Sequence, residues 1–132
     1  MKIAVTAQKP GWTELLDSRF GRAACFVIVD ADTKEWQTVE NLQNRQSVQG
    51  AGIQAAAAII DRGAEVLISG NVGPKAFRVL QAGAVRMYRT DAARQQTVAD
   101  AVAAWERGEL EEIQMATVEG HSARLAESEK AP

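Results

Sequence analysis

Two short apolar segments constrain the fold more than any other feature of this chain. Residues 2–7 (KIAVTA) and residues 66–69 (VLIS) run without the alternation of polar and apolar side chains that a strand with one wet face shows. They are therefore expected to be central strands covered by helices on both faces. The chain has 132 residues, which is enough for one core and too short for two ordinary domains. The sequence predicts a single α/β domain.

The segments between and after these two complete the predicted sheet. Residues 25–30 (CFVIVD) and 35–41 (EWQTVEN) favour strands joined as a hairpin, and residues 85–89 (VRMYR) favour a fifth strand. Three helical segments are predicted to end at Gly63, Gly83 and Gly108, because a glycine just after the last turn commonly ends a helix. The order β, β, β, α, β, α, β, α predicts a mixed five-stranded sheet in the order 3-2-1-4-5, flanked by helices with right-handed crossovers. This is the ribonuclease H-like architecture.

The predicted topology gathers several loops at one rim of the sheet. Strands one, three, four and five would run in one direction, so their exits and the entry into strand two share an edge, where open α/β sheets bind ligands. The loop over residues 8–22 is long, which is typical of functional or mobile loops. Glycines in these loops and two helix starts would offer backbone N–H groups to an anion. The cations at this rim are Arg19, Arg22, Arg45, Lys75, Arg89 and Arg94.

The charge distribution agrees with a local anion site. Residues 1–94 contain 12 Lys and Arg against 9 Asp and Glu, and residues 95–132 contain 3 against 8, so charges of +3 and −5 sum to −2. A nucleic-acid-binding domain would be basic as a whole. An alternative interpretation of the same residues is plain structure, with glycines as helix caps and arginines as solvated surface.

Three motifs in combination identify the chain as similar to the dinitrogenase iron–molybdenum cofactor family. They are DSRFGRAACFVIVD (residues 17–30), QGAGIQAAAAIIDRGAEVLISGNVGPKAF (residues 49–77) and AVAAWERGEL (residues 101–110). The resemblance implies a ribonuclease H-like cluster-binding domain over residues 1–121, followed by an expected flexible tail over 122–132. It also implies non-covalent binding of an anionic metal–sulfur cluster. The orange proteins of this family suggest a molybdenum–copper sulfide cluster, and iron–molybdenum cofactor or its precursor is the alternative.

The family motifs also imply which residues bind the cluster, and the rim adds Arg89. Cys25 is a candidate metal ligand because it begins strand two just inside the rim, although a buried free cysteine usually acts as a small hydrophobe. The sole histidine, His121, lies in the predicted tail. The predicted cofactor-binding residues are Arg19, Phe20, Gly21, Arg22, Gly50, Ala51, Gly52, Gly70, Asn71, Val72, Gly73, Pro74, Lys75 and Arg89.

Other classes of function receive less support from the sequence. Strands one and four lack the carboxylates of two-metal nucleases, and no Ser/His/Asp or Cys/His pairing is evident, so we expect a carrier and not an enzyme. A phosphate-binding module would use the same loops, but the glycine fingerprints of nucleotide sites are missing. A partner-binding or regulatory module remains open, with Trp12 and Trp36 as anchors, although sheet packing is the favoured interpretation of Trp36. A protein that supplies or receives the cluster is a candidate partner.

No apolar run is long enough for a membrane span, and we expect a cytoplasmic protein.

Overall fold

The computed structural model describes residues 1–41, 50–90 and 95–116. Its strands are β1 (Lys2–Ala7), β2 (Cys25–Asp30), β3 (Trp36–Glu40), β4 (Ala64–Ser69), β5 (Arg86–Arg89) and β6 (Glu111–Glu112). Its helices are α1 (Ala51–Asp61), α2 (Pro74–Ala82) and α3 (Val98–Glu106). None of the described helices is long and apolar enough to cross a membrane.

The strands form one mixed sheet in the order β3-β2-β1-β4-β5-β6. β1 pairs parallel with β4, and β4 with β5, whereas β2 is antiparallel to both β1 and β3. The predicted order of the first five strands and their directions are confirmed. The ends of β1, β3, β4 and β5 therefore meet at the rim where β2 begins.

The sixth strand was not predicted. β6 has two residues, pairs antiparallel with β5, and consists of Glu111 and Glu112. Opposite charges lie along this edge, with Arg86 3.3 Å from Glu112 and Arg89 3.9 Å from Glu111. A two-residue acidic strand has no hydrophobic period, so the sequence pattern carried no signal for it.

Helices cover both faces of the sheet, as the unbroken apolar segments predict. Side chains alternate between faces along a strand, so Phe26 and Leu67 join a core beneath α1 and α2, and Val27 and Ile68 join a second core beneath α3. We call these the first face and the second face. The candidate site lies on the first face, at the rim.

The loop after β1 is more ordered than its length suggested. Leu16 forms an isolated bridge with Ala7, and Leu15 forms one with Thr97. Trp12 packs against the core of the second face, so it lies away from the α1 and α2 side of the sheet. Trp36, for which sheet packing was the favoured interpretation, lies on the edge strand β3 with 45% of its surface exposed.

A candidate anion pocket

A pocket of about 600 Å³ opens where the loop before β2 meets the first turns of α1 and α2. Its volume falls in the range of about 300–1,000 Å³ that is usual for small-ligand sites. The loop of residues 17–23 forms one wall, and the starts of the two helices form the other walls. The lining residues are Arg19, Phe20, Gly21, Arg22, Gly50, Ala51, Gly52, Ile53, Asn71, Gly73, Pro74, Lys75 and Ala76.

Small residues allow the three walls to converge. A Cβ atom placed on Gly21 would lie 2.9 Å from the Cα atom of Gly52, and one placed on Gly52 would lie 3.1 Å from the Cβ atom of Ala76. Any larger residue at Gly21 would therefore push the loop away from α1. The absence of side chains here brings the loop, α1 and α2 into direct contact beside the pocket.

Hydrogen bonds fix the loop against its neighbours. The N–H of Phe20 donates to the carbonyl of Asn71 (3.1 Å), and the N–H of Asn71 donates to the carbonyl of Ser18 (2.7 Å). The buried amide of Asn41 donates to the carbonyls of Gly21 (3.2 Å) and Ala23 (2.8 Å). The loop is therefore held to the end of β4 and to the end of β3.

Both helices present uncapped N-termini to the pocket. The residues before them, Gly50 and Gly73, have no side chain that could cap, and Gly50 has a φ of 78°, a conformation that favours glycine. The first helical hydrogen bonds begin at the N–H groups of Gln54 and Phe77. In the described part of the chain, five N–H groups of the first turns have no acceptor: those of Ala51, Gly52, Ile53, Lys75 and Ala76.

The third helix has the opposite arrangement. Thr97 and Asp100 form a reciprocal capping box at the start of α3. The N–H groups of Val98 and Ala99 donate to the carbonyls of Glu14 and Trp12 (2.9 and 3.0 Å). The first part of the connection between β1 and β2, which contains Trp12 and Glu14, thus satisfies the N-terminus of α3. Among the described helices, only α1 and α2 retain unpaired N–H donors.

Three cations and several apolar groups complete the lining. Arg19, Arg22 and Lys75 face the pocket, and none of the described residues that line it is Asp or Glu. Arg19 is paired with the buried carboxylate of Asp17 (3.2 Å), which raises the pKa of the Arg19 guanidinium above its usual value. Phe20 is buried against Phe26, with ring centroids 5.4 Å apart. The pocket combines apolar walls with N–H donors and positive charge.

Eleven of the fourteen predicted cofactor-binding residues line this pocket, and Gly70, Val72 and Arg89 do not. A Cβ on Gly70 would lie 2.8 Å from the backbone of Ser18, so this glycine serves close packing between loops. The side chain of Val72 is fully buried in the core of the first face. Arg89 lies at the end of β5 and faces Glu111 of β6.

Ile53 and Ala76 line the pocket and were not predicted from the sequence. Both are the third residue of a helix, α1 and α2 respectively. The signal that would have found them is positional, because the first three N–H groups of any helix lack an intrahelical acceptor.

The structure places Cys25 away from the pocket. It is 1% exposed, belongs to the core of the second face, and its thiol lies 3.7 Å from the carbonyl of Ala7. Burial raises the pKa of the Cys25 thiol to about 11, so the thiolate that binds metals is disfavoured near neutral pH. No group of three or more His, Cys, Asp and Glu suited to a metal ion occurs among residues 1–41, 50–90 and 95–116. His121, Arg45 and Arg94 lie outside these ranges.

The fold and the pocket define a class of protein: a small mixed α/β domain with a pocket lined by helix N-termini and basic side chains. The model of the family described as dinitrogenase iron–molybdenum cofactor matches residues 1–108. The chain belongs to this family. The membership supports cofactor binding in general.

Proteins similar to this chain include two solved structures and one further protein. The apo form of the orange protein from Desulfovibrio gigas is 41% identical, with a TM-score of 0.84, and the match covers 89% of this chain and 96% of that one. A proposed NifB protein from Thermotoga is 32% identical, with a TM-score of 0.78, covering 90% and 98%. An uncharacterized protein of Methanocaldococcus jannaschii is 31% identical over 93 residues, which is 69% of this chain and 75% of that protein.

Proposed function

We propose that this protein binds and carries a preformed anionic metal–sulfur cluster in the pocket between the loop before β2 and the first turns of α1 and α2. A molybdenum–copper sulfide cluster is the first candidate. The sequence resemblance to the orange proteins suggests this cluster, and the structure of one orange protein is similar to this chain. Iron–molybdenum cofactor or its precursor is the alternative cargo. The role is that of a carrier and not of a catalyst.

The observation that carries the proposal is the convergence of unpaired donors on one pocket, whose described lining residues include no thiol, imidazole or carboxylate. A cluster that brings its own sulfide ligands needs hydrogen-bond donors and positive charge around it, and no protein ligand to its metals. The five free N–H groups of α1 and α2, together with Arg22 and Lys75, have that chemistry.

The available contacts are sufficient in number. A hydrogen bond to a charged group contributes roughly 1.5–3 kcal/mol, and a micromolar dissociation constant corresponds to about 8 kcal/mol. About four contacts would therefore hold the cluster without a covalent bond. The five backbone donors alone exceed that number.

The apolar walls favour a sulfide cluster over a phosphate ligand. Phe20, Ile53 and Pro74 line the same space as the donors. A phosphate group is strongly hydrated and would lose water against these walls without replacement. A soft sulfide surface loses less by the same contact.

The test is reconstitution of the apo-protein with tetrathiomolybdate and copper, followed by gel filtration. We expect visible absorption and a fixed ratio of molybdenum and copper to protein in the eluted fraction, and weaker retention when salt is added. Inorganic phosphate in excess should not displace the metal. Colourless protein without metal would contradict the proposal.

Paired charge variants test the location. Arg22→Ala with Lys75→Ala should weaken retention at least about tenfold, because two charge-assisted contacts are lost. The matched control is Lys2→Ala with Arg62→Ala, which removes the same charge at the opposite end of the sheet, where β1 begins and α1 ends. Equal losses in both pairs would show that only the overall charge matters.

The predicted cytoplasmic location stays a prediction.

A further inference from the structure

Asp17 is a buried carboxylate beside the pocket, although it does not line it. Its Oδ1 accepts from the N–H of Arg19 (2.9 Å) and from the Nε of the same residue (3.2 Å). Its Oδ2 accepts from an Nη2 hydrogen of Arg19 (3.3 Å). One carboxylate therefore holds both the backbone and the side chain of a pocket residue.

The sheet fixes the position of Asp17 in turn. The N–H of Asp17 donates to the carbonyl of Thr6 (2.9 Å), and the hydroxyl of Thr6 donates back to the carbonyl of Asp17. The hydroxyls of Thr6 and Ser69 lie 3.1 Å apart, and both residues are fully buried at the ends of β1 and β4. The carboxylate is thus anchored to the two central strands.

Arg19 keeps donors for a ligand while it is held in this way. A guanidinium has five N–H hydrogens in a rigid fork, and Asp17 occupies those of Nε and one of Nη2. The remaining three, two on Nη1 and one on Nη2, take no part in the bonds to Asp17, and we call them the free edge of the guanidinium. The Arg19 side chain is 60% exposed and lines the pocket.

We infer that Asp17 is a positioning residue, which orients the guanidinium of Arg19 so that its free edge donates to the anion in the pocket. The inference rests on the proposed function and names a residue outside the family motif positions assigned to binding. Arg19 and Asp17 together are neutral, so Arg19 contributes directed hydrogen bonds and little net charge.

This division of roles predicts an unusual salt dependence. Asp17→Asn removes the orienting carboxylate but also leaves the charge of Arg19 uncompensated. At low salt the added attraction offsets the lost orientation. At about 1 M salt, where the Debye length is about 3 Å, only the directed bonds count, and the variant should retain the cluster roughly fivefold to tenfold more weakly than the wild type. A residue with a merely structural role would weaken retention at all salt concentrations alike.

The experiment is a double-mutant cycle on apo-protein loaded with tetrathiomolybdate and copper, with dissociation measured from the visible absorption at low and high salt. We expect the loss at high salt from Asp17→Asn to shrink to less than about twofold in an Arg19→Ala background, because the two residues act as one unit. Equal losses in both backgrounds, or no loss in the wild-type background, would overturn the inference.

A second variant avoids dependence on the folding of Asp17→Asn. Arg19→Lys keeps the exposed charge but cannot make the two-point bond, and it should reproduce the high-salt loss without changing the unfolding midpoint. Retention equal to that of the wild type at high salt would overturn the inference. If the wild type retained no cluster at all, both the proposed function and the inference about Asp17 would be refuted. If the wild type and the variants retained the cluster equally well, only the role of Asp17 would be refuted.

Discussion

Gly21→Ala should open the pocket by moving one wall. The new Cβ would lie 2.9 Å from the Cα and 3.0 Å from the N of Gly52, whereas ordinary contact begins at about 3.4 Å. The loop and α1 must therefore separate by about 0.5 Å. Both contacting atoms belong to the backbone, so no change of rotamer can relieve the overlap, and overpacking of this kind costs about 1–3 kcal/mol.

The same displacement should weaken cluster binding beyond its cost to stability. Hydrogen bonds weaken once the donor and acceptor are farther apart than about 3.2 Å, so donors on the loop and on α1 could no longer reach one ligand together. Loss of a single charge-assisted bond, about 1.5–3 kcal/mol, corresponds to roughly a tenfold to hundredfold weaker affinity.

Urea unfolding and titration of the apo-protein with the molybdenum–copper sulfide cluster measure the two effects separately. Gly83→Ala is the matched control, because its Cβ would lie 2.6 Å from the Cδ1 of Ile60 at the far end of α1 and α2. That contact is with a side-chain terminus that can rotate, so retention should stay at the wild-type level. Retention by Gly21→Ala equal to that of Gly83→Ala at equal stability would refute the reasoning.

Three further predictions concern groups around the pocket and on the second face. Because burial raises the pKa of Cys25 from 9.0 to about 11, the folded state keeps a proton that the unfolded state loses. The stability of the wild type relative to Cys25→Ala should therefore be constant below about pH 9 and fall toward pH 11, measured by urea unfolding. Asn41→Ala removes the amide that donates to the carbonyls of Gly21 and Ala23. It should lower the free energy of unfolding by about 1–3 kcal/mol and weaken cluster retention. Thr97→Ala removes the cap of α3 and should lower the free energy of unfolding by about 1 kcal/mol. Cluster retention should be unchanged, because the pocket lies on the other face of the sheet.

Local signals account for the parts of the fold that were predicted correctly. The apolar segment of β1 and the β-branched segment of β2 need no knowledge of distant residues to be recognised as strands. Glycines at positions 63 and 83 follow the last turns of α1 and α2, as predicted. The short edge strand β6 was missed because two acidic residues carry no period, and its position depends on Arg86 and Arg89 across the strand pair.

The candidate site divides in the same way. The motif RFGR and the glycines before two helices indicated which loops would meet, because the directions of the strands fix where the loops emerge. The face on which Cys25 lies was not predicted, since alternation shows that it shares a face with Val27 but not which helix covers that face. The structure places both beneath α3.

The sequence by itself determined the order of the first five strands and of the helices, the shared rim and the residue types suited to an anion. These features follow from local periodicity and from the connection rules of α/β sheets. Only the tertiary structure decided which helix N-termini remain open. The first N–H groups of each of the three helices lack an acceptor within the helix. At α3, the carbonyls of Trp12 and Glu14 accept from two of these groups. At α1 and α2, Gly50 and Gly73 supply no side-chain cap, and the N–H groups stay unpaired. The physical reason is that hydrogen-bond satisfaction is settled by contacts between residues distant in the chain, such as Glu14 with Val98, which no local pattern encodes.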